Sequence, residues 1–391
     1  MIAPCTSAAQ DLVMRDAKVY ASPNAPPVAH ATVLILAGKI VAIGSNVHVP
    51  AGTASLPCGG CTVYAGFWNA HVHFTGSQWK GAATQSASDL TRDMQAMLTH
   101  SGFTTVVDVS SDPGNTVPLR RRVESGDVAG PNIYTSGFGL YPPHGIPFYL
   151  DDLPEKLLAK LPQPDSPAAA IQAVRSNQAQ GSDVVKLFTG SYLSPDNITH
   201  MPLEVARAAA RAGHDRQQLV FAHPSDFEGL RIAMESGVDV LAHAPSKVDG
   251  IDDALIKAMV DRHMAMIPTL KLFSGSNHIA RIREIVARFR AVGGTLLFGT
   301  DTGFLTDYDV SEEYHQLELA GLTFRDVLSM LTINPVEEFH LESHAGQLRV
   351  GYDGDITVLA EDPSGGDLRK FAHVLYAVRA GRVIFGARLK H

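Results

Sequence analysis

Cysteine is scarce in this chain, with three among 391 residues. So few cannot brace a small disulfide scaffold, and Cys58-Gly59-Gly60-Cys61 supplies only half of a four-thiolate zinc site. The pair precedes a strand-like stretch instead of opening a helix, which argues against thioredoxin-like redox chemistry; it reads as a turn, closed by a disulfide if the protein is exported. Charge is sparse as well. Charged residues make up 18% of the chain, the net charge is -8, and the longest basic run is Arg120-Arg121-Arg122, so there is no basic stripe for nucleic acid. No apolar run is long enough to span a bilayer. What is present is the composition of a globular protein, 45% hydrophobic, with length for one barrel of roughly 250 residues and a smaller domain. Ser7-Ala8-Ala9 before Gln10 has the small-residue character of a signal-peptide end, so residues 1–10 are expected to be a leader remnant. A periplasmic or secreted location is preferred to the cytoplasm on that basis.

Residues 11–64 alternate as β-strands, with Gly38-Lys39 marking a hairpin turn. From 62 to about 301 the pattern becomes strand, loop, helix, repeated. Eight short apolar strands are expected at 63–68, 104–109, 132–136, 183–188, 219–222, 238–242, 265–269 and 295–299. Helical segments lie between them at 89–100, 167–180, 202–212, 226–236, 251–262 and 278–291. Continuous apolar strands alternating with helices indicate a parallel sheet covered on both faces. The expected fold class is therefore α/β: a (β/α)8 TIM-type barrel over 63–345, plus a small β-sandwich domain built from both chain ends, 11–62 and 346–391. One connection, 137–166, is long and rich in proline and aromatic residues, which suits a lid over a site.

The chemistry-bearing residues fall where these strands stop. His71 and His73 are separated by one residue, so on a strand both leave the same face. Lys186 belongs to strand four, His223 follows strand five, His243 strand six and Asp301 strand eight. In a barrel the carboxyl ends of all strands open on one face, so these six residues would converge on one cavity. A lone strand-end histidine is more often a satisfied core residue, but four imidazoles and a carboxylate together are a ligand set for borderline divalent metals, zinc above all. Lys186 is costly there as a bare ammonium. Reaction with carbon dioxide would convert it to an anionic carbamate with one oxygen for each of two metals; pairing with Asp183 or reaching solvent are the plainer readings.

With those residues in place, the chain resembles the amidohydrolase superfamily of metal-dependent hydrolases over nearly its whole length. The resemblance is carried by His71-Val72-His73, the strand-four lysine, the two later histidines, Gly299-Thr300-Asp301-Thr302-Gly303, and the tail from Asn334-Pro335 through Gly346 and Gly351 to Asp355. It is most similar to the imidazolonepropionase-related, prolidase-like branch, whose relatives hydrolyse dipeptides and other amides. Two departures stand out. The usual Pro-Gly-Phe-x-Asp-x-His-x-His appears as Ala65-Gly66-Phe67-Trp68-Asn69-Ala70-His71-Val72-His73, with Asn69 removing a charge beside the ligands. A Gly-Gly-His-Gly lid segment appears as Pro142-Pro143-His144-Gly145, where His144 matches a substrate-polarising histidine. Imidazolonepropionase itself uses one metal and lacks the lysine, so Lys186 argues against that activity.

The resemblance implies two divalent metal ions, most readily zinc: His71, His73 and Asp301 on one, His223 and His243 on the other, and carboxylated Lys186 across both. Water shared by two cations has its pKa lowered from about 15.7 toward roughly 7 and would attack the amide of a small molecule such as a dipeptide or N-acyl amino acid. Asp301 would act as catalytic acid–base and His144 would polarise the carbonyl. Tyr141, His144, Tyr192 and Lys271 are the expected substrate contacts, with Tyr149 and Lys247 nearby in the strand-end loops. A cyclic-amide hydrolase, a deaminase, a lactonase and a non-catalytic metal- or ligand-binding protein remain as alternatives. The expected partner is a small-molecule substrate, with no nucleic acid and no membrane span; whether the chain forms a homo-oligomer is left open.

Overall fold

The computed structural model describes residues 11–386, so the expected leader at 1–10 and residues 387–391 lie outside the described residues. One eight-stranded sheet takes strands from both ends of the chain. Leu12–Val19, Val28–Leu36, Lys39–Gly44, Ala54–Leu56 and Thr62–Ala65 come from the first part; Ile356–Leu359, Val374–Arg379 and Arg382–Phe385 come from the last. The ends meet where Thr62–Ala65 pairs antiparallel with Ile356–Leu359 and parallel with Leu12–Val19. Alternating residues such as Leu12, Met14, Val33, Ile35, Val63 and Val358 give this sheet its own apolar core. The first hairpin turns on Ala37-Gly38, both with positive φ (+48° and +78°), as a tight two-residue connection requires. Cys58 and Cys61 are joined by a disulfide at the sheet's margin.

The strand expected at 63–68 is two strands. Gly66 breaks it: Thr62–Ala65 stays in the terminal sheet, and Phe67–Val72 enters a parallel sheet with Phe103–Asp108 and Asn132–Thr135. A second parallel sheet holds Val185–Phe188, Val220–His223, Val240–Leu241 and Ala265–Met266. Backbone hydrogen bonds link the two sheets at one edge, from Asp183 N–H to Thr135 O (2.7 Å) and Leu140 N–H to Lys186 O (2.9 Å). At the other edge the 295–302 stretch joins both: Leu297 N–H reaches Met266 O (2.9 Å), and Ala70 N–H reaches Phe298 O (2.7 Å). That stretch forms isolated bridges in place of the expected strand 295–299, because the Phe298 N–H is taken by the carbonyl of Met330. Helices alternate with the parallel strands, giving a TIM-barrel-like α/β architecture. Pro167–Gln180 shows why its bounds are readable: the Ser166 hydroxyl caps Ala169 N–H, proline takes the first turn, and Gly181 closes it at φ +101°.

The two layers are cemented by aromatic rings. Tyr20 stacks on Tyr64, which packs on Phe67 and Phe371; Phe371 stacks on Phe324 and Tyr314, and Tyr314 stacks on Phe298. An antiparallel hairpin, Gly190–Ser194 with Asn197–His200, stands beyond the strand Val185–Phe188 where the sequence suggested only loop. Gly66 is where the terminal sheet hands over to the parallel one, and a Cβ there would lie 2.1 Å from Thr104 Oγ1. Gly66→Ala is therefore expected to destabilise the protein by about 1–3 kcal/mol through overpacking. A lowered midpoint of urea unfolding with unchanged slope is the readout.

Candidate metal centre and active site

His71 lies inside the strand Phe67–Val72, fully buried, and His73 lies just past its end. Each ring is oriented through its inner nitrogen: His71 Nδ1–H donates to Ala242 O at 2.6 Å and His73 Nδ1–H to Ser110 O at 3.0 Å. With those hydrogens placed, both Nε2 atoms present bare lone pairs. They face one another at 3.2 Å, and both face Asp301 Oδ1, at 3.2 Å from His71 and 3.0 Å from His73. Asp301 Oδ1 is buried and receives no hydrogen bond among the described residues. Three atoms each about 2.0–2.2 Å from a common ion stand roughly 2.9–3.4 Å apart, so this triangle fits a divalent cation.

His243 and His223 complete the imidazole cluster. His243 Nδ1 is bonded to Thr269 Oγ1 at 2.7 Å, and its ring lies 4.3 Å from that of His71 and 4.6 Å from that of His223. One ligand atom from each of His71, His243 and Asp301 falls within a 4.8 Å group. His223 stacks on Phe188 at 5.2 Å, and its ring nitrogens make no hydrogen bond among the described residues. Lys186 is 1% exposed, forms no ion pair among the described residues, and sets its nitrogen 5.3 Å from the Phe188 ring centre. Of the plainer readings, a pairing with Asp183 is absent among the described residues, where Asp183 is bound to Arg120.

Burial governs the electrostatics. It pushes His71 down to about 4 and His223 down to about 3, with the nearby Lys186 ammonium adding to both shifts. His243 lies well below its ordinary range, from burial first and then from His71 and His223. Burial works against ionisation of Asp301, but the protonated forms of His71 and His73, facing its Oδ1, outweigh burial and hold the carboxyl well below the carboxylate range. Burial pushes Lys186 down to about 7, opposed by Asp301. At neutral pH His71, His223 and His243 are neutral imidazoles beside one carboxylate, with an amine poised near neutrality.

Asn69, the departure from the family pattern, is fully buried and satisfied. Its Nδ2 donates to Thr300 Oγ1 at 2.7 Å and its Oδ1 accepts the His71 N–H at 3.2 Å, tying the histidine strand to the segment carrying Asp301. A neutral amide can both donate and accept there, and it adds no second buried negative charge.

The expected substrate contacts divide. Tyr192 stands in the hairpin with its hydroxyl 2.7 Å from Ser246 Oγ, half-buried. His144 is exposed on a turn at φ +54°. Tyr149 packs edge-on to Phe304 at 5.4 Å, and burial together with the neighbouring Tyr141, Asp301 and Tyr192 keeps its phenol protonated. Tyr141 and Lys271 are both engaged by other groups of the protein. Tyr141 is 2% exposed and stacks on Phe188 at 4.3 Å. The Lys271 ammonium is bound by the Asp307 carboxylate and the Asp309 carbonyl, so its charge is satisfied within the protein. Ser110 and Thr269, which orient His73 and His243, are not apparent as site residues in the sequence; the available signal is a polar residue just beyond an apolar strand.

Buried imidazoles converging with a carboxylate at one end of parallel strands form a candidate metal site. A profile of the amidohydrolase family matches residues 62–387, and the chain belongs to that family. It is a hydrolase acting on C–N bonds, in a family that generally uses divalent metals. An ochratoxinase from Aspergillus niger is 25% identical over 386 residues, covering 84% of this chain and 77% of that protein. The fold is similar to a Xaa-Pro dipeptidase with bound methionine (TM-score 0.80, 18% identity, 96% of this chain and 99% of the other). It is also similar to a prolidase complexed with N-methylphosphonate-L-proline (TM-score 0.78, 21% identity, 96% and 99%). No helix among the described residues is long and apolar enough to cross a membrane.

Lys186 gives a pH-dependent prediction for chelator-treated protein. Its pKa is about 7 when folded against 10.5 ordinarily. Between these values the unfolded chain binds a proton that the folded chain does not, so stability rises with pH across the window; below it the folded state bears the buried charge in full. Lys186→Met should therefore raise the unfolding free energy from urea titration at about pH 6, by an amount on the order of several kcal/mol, and lose that advantage by about pH 10.

Proposed function

We propose that this chain is a binuclear metal-dependent amidohydrolase cleaving the amide bond of a small molecule such as a dipeptide or N-acyl amino acid. The observation that carries the reading is the triangle of His71 Nε2, His73 Nε2 and Asp301 Oδ1, with three electron-rich atoms 3.0–3.2 Å apart. His71, His73 and Asp301 would hold one ion, His223 and His243 a second, and Lys186 would span them as a carbamate. The donor set favours zinc. Its burial supports the lysine's modification: an amine with a pKa near 7 has a free lone pair to bond the carbon of carbon dioxide, releasing one proton and leaving a carbamate anion. When bound, the ions supply Lewis acidity and a lowered water pKa.

The chain's own residues do the rest. Asp301, held ionised, accepts the proton of the attacking water and returns it to the leaving nitrogen. Tyr192 in its hairpin and His144 on its exposed turn are the proposed substrate contacts, with His144 polarising the carbonyl. The similarity to an ochratoxinase and to dipeptidase and prolidase folds supports an amide substrate. The hydrogen bonds at both sheet edges support a closed (β/α)8 barrel with 295–302 as its eighth strand, flanked by a β-sandwich of the chain ends. The Cys58–Cys61 disulfide supports a periplasmic or secreted location, where such bonds persist.

Purified protein is expected to carry about two divalent ions per chain by elemental analysis. Asp301→Asn should keep most of that metal while lowering turnover by about 10²–10⁴-fold. A panel of Xaa-Pro dipeptides, N-acyl amino acids, an ochratoxin, a lactone and an amino-heterocycle, read for amine, alcohol or ammonia release, separates amidase from lactonase and deaminase. Full activity in metal-free protein would overturn the reading.

A further inference from the structure

Ser110-Ser111, just past the strand Phe103–Asp108, sits between two parts of the site. On one side is the histidine strand: Val109 N–H donates to Val72 O at 3.1 Å, Phe74 N–H to Ser111 Oγ at 2.8 Å, and His73 Nδ1–H to Ser110 O at 3.0 Å. On the other is the root of the 137–150 segment. Ser111 N–H donates to Gly137 O at 3.0 Å and Gly139 N–H to Ser110 Oγ at 3.1 Å, with the Tyr141 phenol beside the same hydroxyl. The approach at Gly139 leaves no room for a side chain: a Cβ would lie 2.9 Å from Phe188 and 3.1 Å from Ser110 Oγ. Asp108 anchors the junction from beneath, accepting Ser111 Oγ–H at 2.5 Å and Thr135 Oγ1–H at 2.6 Å.

Ser110 itself holds φ +139°, a conformation that L side chains rarely adopt. Such a backbone persists only where its surroundings over-determine it, and such residues cluster at functional sites. A glycine would take that φ without strain. Only a side-chain oxygen supplies the acceptor that Gly139 uses, so the position combines an unfavourable backbone with a specific hydroxyl.

We propose that Ser110 is a positioning residue that couples the seating of the 137–150 segment to the orientation of His73. Its hydroxyl fixes the root of that segment and its carbonyl fixes the histidine, so both follow one backbone conformation. The His73 half rests on the metal-centre reading given above; the tie to Gly139 stands without it.

Ser110→Gly and Ser110→Ala both delete the hydroxyl, and the glycine variant keeps the native φ free of strain, so it answers the question even if the alanine variant fails to fold. Amide hydrogen exchange of Gly139 in chelator-treated protein should quicken about tenfold in Ser110→Gly, as loss of one ordinary hydrogen bond allows. Zn²⁺ affinity, read by competition with a chromophoric chelator, should fall about tenfold, in the range seen when a ligand's orienting partner is lost. KM should rise more than kcat falls. Wild-type exchange at Gly139, or faster exchange with unchanged Zn²⁺ affinity, overturns the coupling. If the wild-type protein binds no Zn²⁺, the metal-centre reading fails separately, while the Gly139 exchange still decides the tie.

Discussion

Three electron-rich atoms held within 3.2 Å of one another, with no proton assigned between them, form the constraint on which the rest depends. His71 Nε2, His73 Nε2 and Asp301 Oδ1 repel when left alone, and in a buried setting that repulsion is weakly screened. The arrangement persists because each ring is fastened from behind, to Ala242 and Ser110 carbonyls, and because the Asp301 segment is tied to the strand through Asn69 and Thr300. A cation placed among them turns mutual repulsion into shared attraction.

Holding such a cluster also costs backbone comfort. Ser110 at φ +139°, Thr269 at +45° and Asp301 at +55° are non-glycine residues outside the favoured regions, and each either orients or supplies a member of the cluster. Their strain is local, and the surrounding packed strands bear it. The fold spreads these demands over several strand ends, so no single loop has to satisfy all of them.

Much of the architecture was legible because its signals are periodic. The helix Pro167–Gln180 could be bounded to the residue by its serine cap, leading proline and trailing glycine. The histidine–lysine–aspartate series could be aligned because each member ends or closes an apolar strand. Gly66 was less legible, since a glycine within an apolar run gives no hint that the run changes sheets there. The Gly190–Ser194 hairpin was hidden by its short, mixed-polarity strands. Tyr141 and Lys271 show the limit of reading side chains by type. That the Tyr141 ring stacks on Phe188 and that the Lys271 ammonium is bound by Asp307 depend on tertiary packing, which residue type alone does not carry.

The aromatic column running from Tyr20 and Tyr64 through Phe371 to Tyr314 and Phe298 has a mechanical meaning. Stacked rings resist shear, and this column crosses from the terminal sheet into the layer that carries Asp301. The terminal sheet and the stretch leading to Asp301 are thus joined by one unbroken run of ring contacts, so a packing change in either is felt by the other.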